Sequence, residues 1–166
     1  SEDQLKILTE YLTNFQSFTH FVVAMIVIAI IPAIGEELVF RGLIQNFFSK
    51  ATKNPHVAIW LSGFIFAAIH MQFFGLAPRM MLGVLFGYIY HWSGKLSYAM
   101  IGHFLNNGFA LIALYLSGAD IIEMQASEME EAAPWPALVI FGLIFIIAMR
   151  AFYKQVKHAC LAKCFF

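Results

Sequence analysis

The feature that most restricts this chain is an apolar run, Phe21 to Ile34, that leads into Glu36-Glu37-Leu38-Val39-Phe40-Arg41. The run reads as membrane-buried helix, and two carboxylates and a guanidinium follow in the same helix. Each ionised side chain at the centre of a membrane helix costs about 2.5–3.5 kcal/mol on insertion scales. Such residues persist where they face a protein interior or a wet cavity, and they mark a functional site by default.

Helical spacing separates their roles. Glu37 and Arg41 are i and i+4, share one face and are expected to form an ion pair. Glu36 is turned about 100° from Glu37, which leaves its carboxylate for another partner. Glu37 therefore reads as the structural carboxylate and Glu36 as the working one. The competing reading makes all three one buried charge network that only fixes helix packing.

Composition extends this argument to the whole chain. Of 166 residues, 61% are hydrophobic and 12% charged, against roughly 25% charged in an average soluble domain. Several apolar runs approach the roughly 20 residues that cross a bilayer as a helix. The expectation is an all-α, polytopic helical membrane protein: a single membrane-embedded domain, residues 1–166, with about five transmembrane helices. An N-terminal amphipathic helix would precede them, with Leu5, Leu8, Leu12 and Phe15 on one face.

The expected spans are Phe18 to Phe48, Val57 to Phe74, Met80 to Trp92, Ser97 to Leu116 and Trp135 to Tyr153. Pro32 and Gly35 are kink points in the first, and Gly75 and Pro78 break the chain after the second. The third carries Gly83-Val84-Leu85-Phe86-Gly87, a spacing suited to close helix packing. An acidic loop, Gly118 to Pro134, holds Asp120, Glu123, Glu128, Glu130 and Glu131.

If the spans alternate, Lys50, Lys53, Lys95, Arg150, Lys154, Lys157 and Lys163 fall on one side and only Lys6 and Arg79 on the other. That bias makes the first side, and the C-terminus, cytoplasmic; the expected location is a bacterial inner membrane. With zero net charge and no basic tract, nucleic acid is not an expected partner. Cys160 and Cys164 make no disulfide framework or metal site by themselves. The first residue is Ser1 rather than Met, so further residues upstream are expected.

Other polar side chains fall within the apolar part: His70, His103, Asn106 and Asn107. His103 and Asn107 are i, i+4 and can point into one cavity. Counted from the cytoplasmic ends, Glu36 and His70 each lie roughly 21 Å deep and Asn107 roughly 18 Å, with His103 one turn shallower. Similar depth on three helices argues for one site. Taken singly, each has a plainer reading: His70 or His103 as a packing histidine, and Asn107 as interhelical glue.

Such a set can activate water. A desolvated Glu36 can act as general base, with His70 opposite it aligning the same water and later protonating a leaving amine. His103 and Asn107 would donate hydrogen bonds to a developing oxyanion, worth about 2.7–4 kcal/mol per donor. Ser62 and Ser97 lack a neighbouring base, and both cysteines lie in the tail, so no Ser or Cys nucleophile is indicated. A zinc site built from Glu36, His70 and His103 is the competing chemistry, because two His and one Glu are a known ligand set. The helical His-Glu-x-x-His signature is absent, so a reaction without metal or other cofactor is preferred.

Three motifs in this order, Glu36-Glu37-x-x-x-Arg41, Phe66-x-x-x-His70 and His103-x-x-x-Asn107, resemble the CAAX protease and bacteriocin-processing (CPBP, or Abi) family of intramembrane proteases. Pro32, Phe40-Arg41-Gly42 and the segment from Gly83 to Tyr90 ahead of Ser93-Gly94 agree with it, so the resemblance covers about Pro32 to Ala110. It implies a helical membrane fold with a cavity open to the cytoplasm and hydrolysis of a peptide or protein-tail substrate, lipidated or not. It also implies Glu36 and His70 activating water without metal, Glu37 and Arg41 in support, and His103 and Asn107 as oxyanion hole. Members usually carry additional N-terminal spans. Some act in bacteriocin immunity or as membrane scaffolds, which makes a non-catalytic binding protein the main rival to an endopeptidase. A transporter is a third reading, since intramembrane Glu, Arg and His also serve proton relays; the lack of a repeat argues against it.

Overall fold

The computed structural model describes residues 15, 17–71, 76–118, 143 and 146–157, which contain no strand. The chain divides into two compact units, Ser1–Ile122 and Glu123–Phe166, and each is taken by itself. The expected N-terminal amphipathic helix and the acidic loop lie almost entirely outside the described residues. So does the first part of the fifth span.

Helix α1 runs unbroken through Phe18–Thr52. Ser17 caps it, its hydroxyl accepting from the His20 N–H at 3.2 Å. Two stretches widen to π-helical geometry, Met25–Ile30 and Leu38–Gln45, on either side of the α-helical Ile31–Glu37. Each leaves a carbonyl that a neighbouring helix serves. Pro32 has no N–H to give the Ile28 carbonyl four residues back, and Asn107 Nδ2 donates to that oxygen at 3.0 Å. The Phe40 carbonyl accepts from Ser62 Oγ at 3.0 Å. Neither Pro32 nor Gly35 stops the helix.

The chain turns at Lys53 in the left-handed region (φ 54°) and enters α2, Pro55–Ala68. Asn54 is its N-cap: the side-chain oxygen accepts from His56 N and Val57 N, with Pro55 at the first helical position. The expected span to Phe74 is corrected here. The helix tightens into a three-residue turn, with His70 N–H on Ala67 O and Met71 N–H on Ala68 O, and Met71 has φ 53°.

Helix α3 is Leu76–Ser93, beginning earlier than expected. Pro78 sits in its first turn, where a missing N–H has no helical partner to lose. A left-handed Gly94 (φ 63°) leads to α4, Leu96–Gly118. α2 and α3 meet at glycines: a Cβ on Gly83 would stand 3.0 Å from Gly63 Cα and 3.2 Å from the Phe66 ring. Backbone there cannot retreat as a flexible side chain would.

α1 and the stretch Leu96–Leu116 are long and apolar enough to cross a membrane. Their outer faces fit lipid: Ile31, Ile34 and Leu38 on α1, and Ile101, Leu105 and Phe109 on α4, are exposed at helical spacing. The chain is an all-α membrane protein. In the second unit, residues 146–157 are helical, with Arg150, Lys154 and Lys157 in a row that begins at the exposed Ile146 and Ile147.

Candidate active site

Glu37 is the hub. Its side chain is 0% exposed, and its Oε1 accepts from Arg41 Nη1 at 2.8 Å and from His103 Nδ1 at 2.8 Å. The i, i+4 pair anticipated from spacing is therefore present, with a partner from α4 added. Arg41, 1% exposed, donates through Nη2 to the Gly83 carbonyl at 2.8 Å, which ties α1 to α3 at the glycine contact. Two aromatic rings close the space. The Arg41 guanidinium lies 4.9 Å from the Phe66 centroid and 5.6 Å from that of Phe86. His103 stacks on Phe86 (5.3 Å, 17°) and meets Phe66 edge-on at 6.0 Å.

Such a buried pair gains Coulombic energy only against a large desolvation cost, so a third donor matters. Glu37 Oε2 and Arg41 Nε are still buried polar atoms with no hydrogen bond. Removing either Glu37 or Arg41 leaves the other as a stranded charge.

Glu36 differs from its neighbour. Its side chain is 29% exposed, and its Oε2 stands 3.8 Å from His103 Nε2, beyond hydrogen-bond reach. Adjacent residues on one helix thus split into a carboxylate locked by two donors and a carboxylate left to meet something else.

The two histidines share a pattern. Carboxylate and carbonyl oxygens only accept, so Nδ1 of His103 carries the hydrogen that bonds Glu37, and Nε2 is the ring atom turned toward Glu36. His70 stands on the terminal turn of α2. Its backbone N–H goes to Ala67 O, and its Nδ1 takes over the Phe66 carbonyl at 2.7 Å. That bond leaves Nε2 for other partners. The Phe66 ring links the two, 5.1 Å from His70 and 6.0 Å from His103.

Asn107 is half-buried, bound to Ile28 O through Nδ2, while its Oδ1 accepts from Asn106 at 3.2 Å. Its amide is thus engaged on α1 one turn of α4 beyond His103. The structure brings Glu36, Glu37, Arg41 and His103 into one cluster from α1 and α4, with His70 reaching its edge through Phe66. Ser62, Phe66 and Phe86 are contributors that sequence reasoning did not assign. Phe66 had a signal in its i, i+4 relation to His70, and Ser62 in being a hydroxyl on an apolar helix. Phe86 had none beyond its glycine neighbours. Among the described residues, no three His, Cys, Asp or Glu side chains are grouped as a metal would need.

A family profile described as Type II CAAX prenyl endopeptidase Rce1-like matches residues 18–109, a stretch that holds the cluster, His70 and Asn107. Two curated relatives share its core. Uncharacterized protein YpbD of Bacillus subtilis (strain 168) is 31% identical over 85 residues, 49% of this chain and 40% of its own length. Membrane-embedded CAAX protease MroQ of Staphylococcus aureus (strain USA300) is 32% identical over 90 residues, 51% of this chain and 36% of its own. The matched part is thus less than half of either relative. No solved structure matches the chain. With the profile running from the start of α1 to the residues just past Asn107, the chain belongs to the Rce1-like family of type II CAAX prenyl endopeptidases.

Proposed function

We propose that this protein is an intramembrane endopeptidase that hydrolyses a peptide bond near the cytoplasmic face of a bacterial inner membrane. Family membership supports a peptidase. One geometric observation carries the mechanism: of two adjacent carboxylates, Glu37 is locked between Arg41 and His103, and Glu36 is left 29% exposed beside His103 Nε2.

In this reading Glu36 takes a proton from water, with the Nε2 of His70 helping to hold that water. The water oxygen adds to the scissile carbonyl, and the carbonyl electron pair moves onto oxygen. The second amide N–H of Asn107 stabilises that oxyanion, joined by His103 in its imidazolium form, whose Nε2–H donates while Nδ1–H stays on Glu37. Collapse of the intermediate breaks the C–N bond, and the proton held by Glu36 passes to the departing amine through His70. Glu37 and Arg41 keep His103 in place. The mechanism uses no metal, because water activation needs only the open carboxylate of Glu36.

The relative named as a membrane-embedded CAAX protease supports a protein or peptide tail, prenylated or not, as substrate. The distribution of Lys and Arg supports a cytoplasmic C-terminus. The test is cleavage of a prenylated C-terminal peptide by the purified protein in lipid nanodiscs. Expected results are a rate unaffected by chelators and a loss of about 10²–10⁴-fold in Glu36→Gln with the helical spectrum unchanged. Wild-type turnover by Glu36→Gln would end the proposal, and chelator inhibition reversed by zinc would replace its mechanism.

A further inference from the structure

A second polar site lies toward the C-terminal ends of α1 and α3. A cavity of about 170 Å³ opens between the end of α1 and the end of α3, with Gln45, Asn46, Ser49, Tyr90 and His91 among its walls. Gln45 is nine residues beyond Glu36, roughly 13 Å along a helix, so this is not the cluster described above.

Its chemistry is that of an anion site. Asn46 Nδ2 donates to the Tyr90 oxygen at 3.1 Å and to the Gly42 carbonyl at 2.8 Å, which leaves the Tyr90 hydroxyl hydrogen to be given elsewhere. Ser49 adds a hydroxyl and His91 a ring N–H. Gln45 is 5% exposed, and its Nε2 donates to the Gly87 carbonyl at 3.2 Å. From Gly42 to Gly118 the sequence has no Asp or Glu, whereas Lys50, Lys53, His56, His91 and Lys95 gather at this end. His56 faces His91 with ring centroids 6.2 Å apart and contacts the Tyr88 hydroxyl at 3.0 Å.

The rim points to a source for the anion. Around α1 the cavity residues Asn46 and Ser49 are followed by Lys50 and then by Leu43 and Phe47, which are 68% and 66% exposed. Polar wall, cation and bare apolar strip stand in the order in which an anionic lipid presents headgroup, phosphate and acyl chain. We infer that this cavity binds the phosphodiester headgroup of an anionic phospholipid, with hydroxyls such as those of phosphatidylglycerol reaching the polar wall. The acyl chain lies along Leu43 and Phe47. This reading is independent of whether Glu36 hydrolyses anything.

The experiment is native mass spectrometry of the full chain released from nanodiscs containing equal phosphatidylglycerol and phosphatidylcholine. Phosphatidylglycerol should be retained about tenfold over phosphatidylcholine, and that preference should fall about tenfold in Tyr90→Phe with His91→Gln. Arg150→Gln, which removes a cation from the second unit, should retain it. Ser49→Ala gives a second reading should the double variant fail to fold, and a lowered preference is expected there too. Equal retention of the two lipids, or equal loss in Arg150→Gln, overturns the inference. Displacement by free glycerol 3-phosphate would assign the cavity to a soluble phosphoester, and displacement by a short peptide carboxylate would assign it to a protein tail. Either result overturns the lipid reading.

Discussion

The cluster around Glu37 and the cavity beside Tyr90 share α1, and α3 borders both, yet they solve opposite problems. In the first, charges of both signs are sealed under aromatic rings and must neutralise one another: Glu37, Arg41 and His103 are at most 5% exposed and bonded together. In the second, the open wall holds no carboxylate, and the exposed Lys50 follows Ser49 on α1. Burial forces internal pairing, whereas an open edge can leave charge for a partner from outside. Glu36 brings the second condition into the middle of the first, and that is why it is the residue assigned the chemistry.

The sharpest way to break this contrast is to remove the charge of each neighbouring carboxylate in turn. Glu36→Gln should leave resistance to unfolding within about 0.5 kcal/mol of wild type while removing nearly all cleavage. Glu37→Ala should instead destabilise by about 3–5 kcal/mol, because Arg41 is left buried without its counter-ion. Denaturant unfolding in detergent, read by tryptophan fluorescence, checks both. Equal destabilisation by the two variants would erase the distinction between them.

A smaller effect is expected one helix away. Gly83→Ala puts a methyl 3.0 Å from Gly63 Cα and pushes α3 off α2, costing about 1–3 kcal/mol and shifting the carbonyl that holds Arg41. The same unfolding assay should place it between the two carboxylate variants, and wild-type stability would mean that the helices separate easily.

The smallest concerns the pairing of Asn107 with Pro32. Asn107→Ala removes the donor to Ile28 O and should cost about 1 kcal/mol. With Pro32→Ala in the background, residue 32 regains an N–H for that carbonyl, so the cost of Asn107→Ala should shrink. A double-mutant cycle measures the coupling. Additive effects would show that Asn107 serves some other group.

Much of this was legible in the sequence because membrane burial makes every charge conspicuous. The Glu37–Arg41 pair followed from spacing, and the all-helical membrane architecture from apolar run lengths. Depth along each helix could be counted from the cytoplasmic ends, and the count put Glu36, His70 and Asn107 at comparable levels, with His103 one turn shallower. Rotation about each axis could not be counted. The reading paired His70 with Glu36, and the structure sets His103 beside it, with His70 bonded to the Phe66 carbonyl. The π-helical stretches explain part of the gap. They change the angular step per residue just before and just after Glu36, and no side-chain pattern announces them apart from Pro32. The end of α2 was misplaced for a related reason: Ile69 to Phe74 is as apolar as helix, apart from His70 and Gln72, and a left-handed Met71 has no marker comparable to a glycine.

α2 is also a short helix. Its 14 residues rise about 21 Å, where the hydrocarbon layer is about 30 Å thick. Counted from a membrane surface at Asn54, the imidazole at its end would stand inside the bilayer's thickness rather than at the far surface. Lipid next to this helix must thin or tilt to match it, which couples the surroundings of His70 to the length of the acyl chains around it.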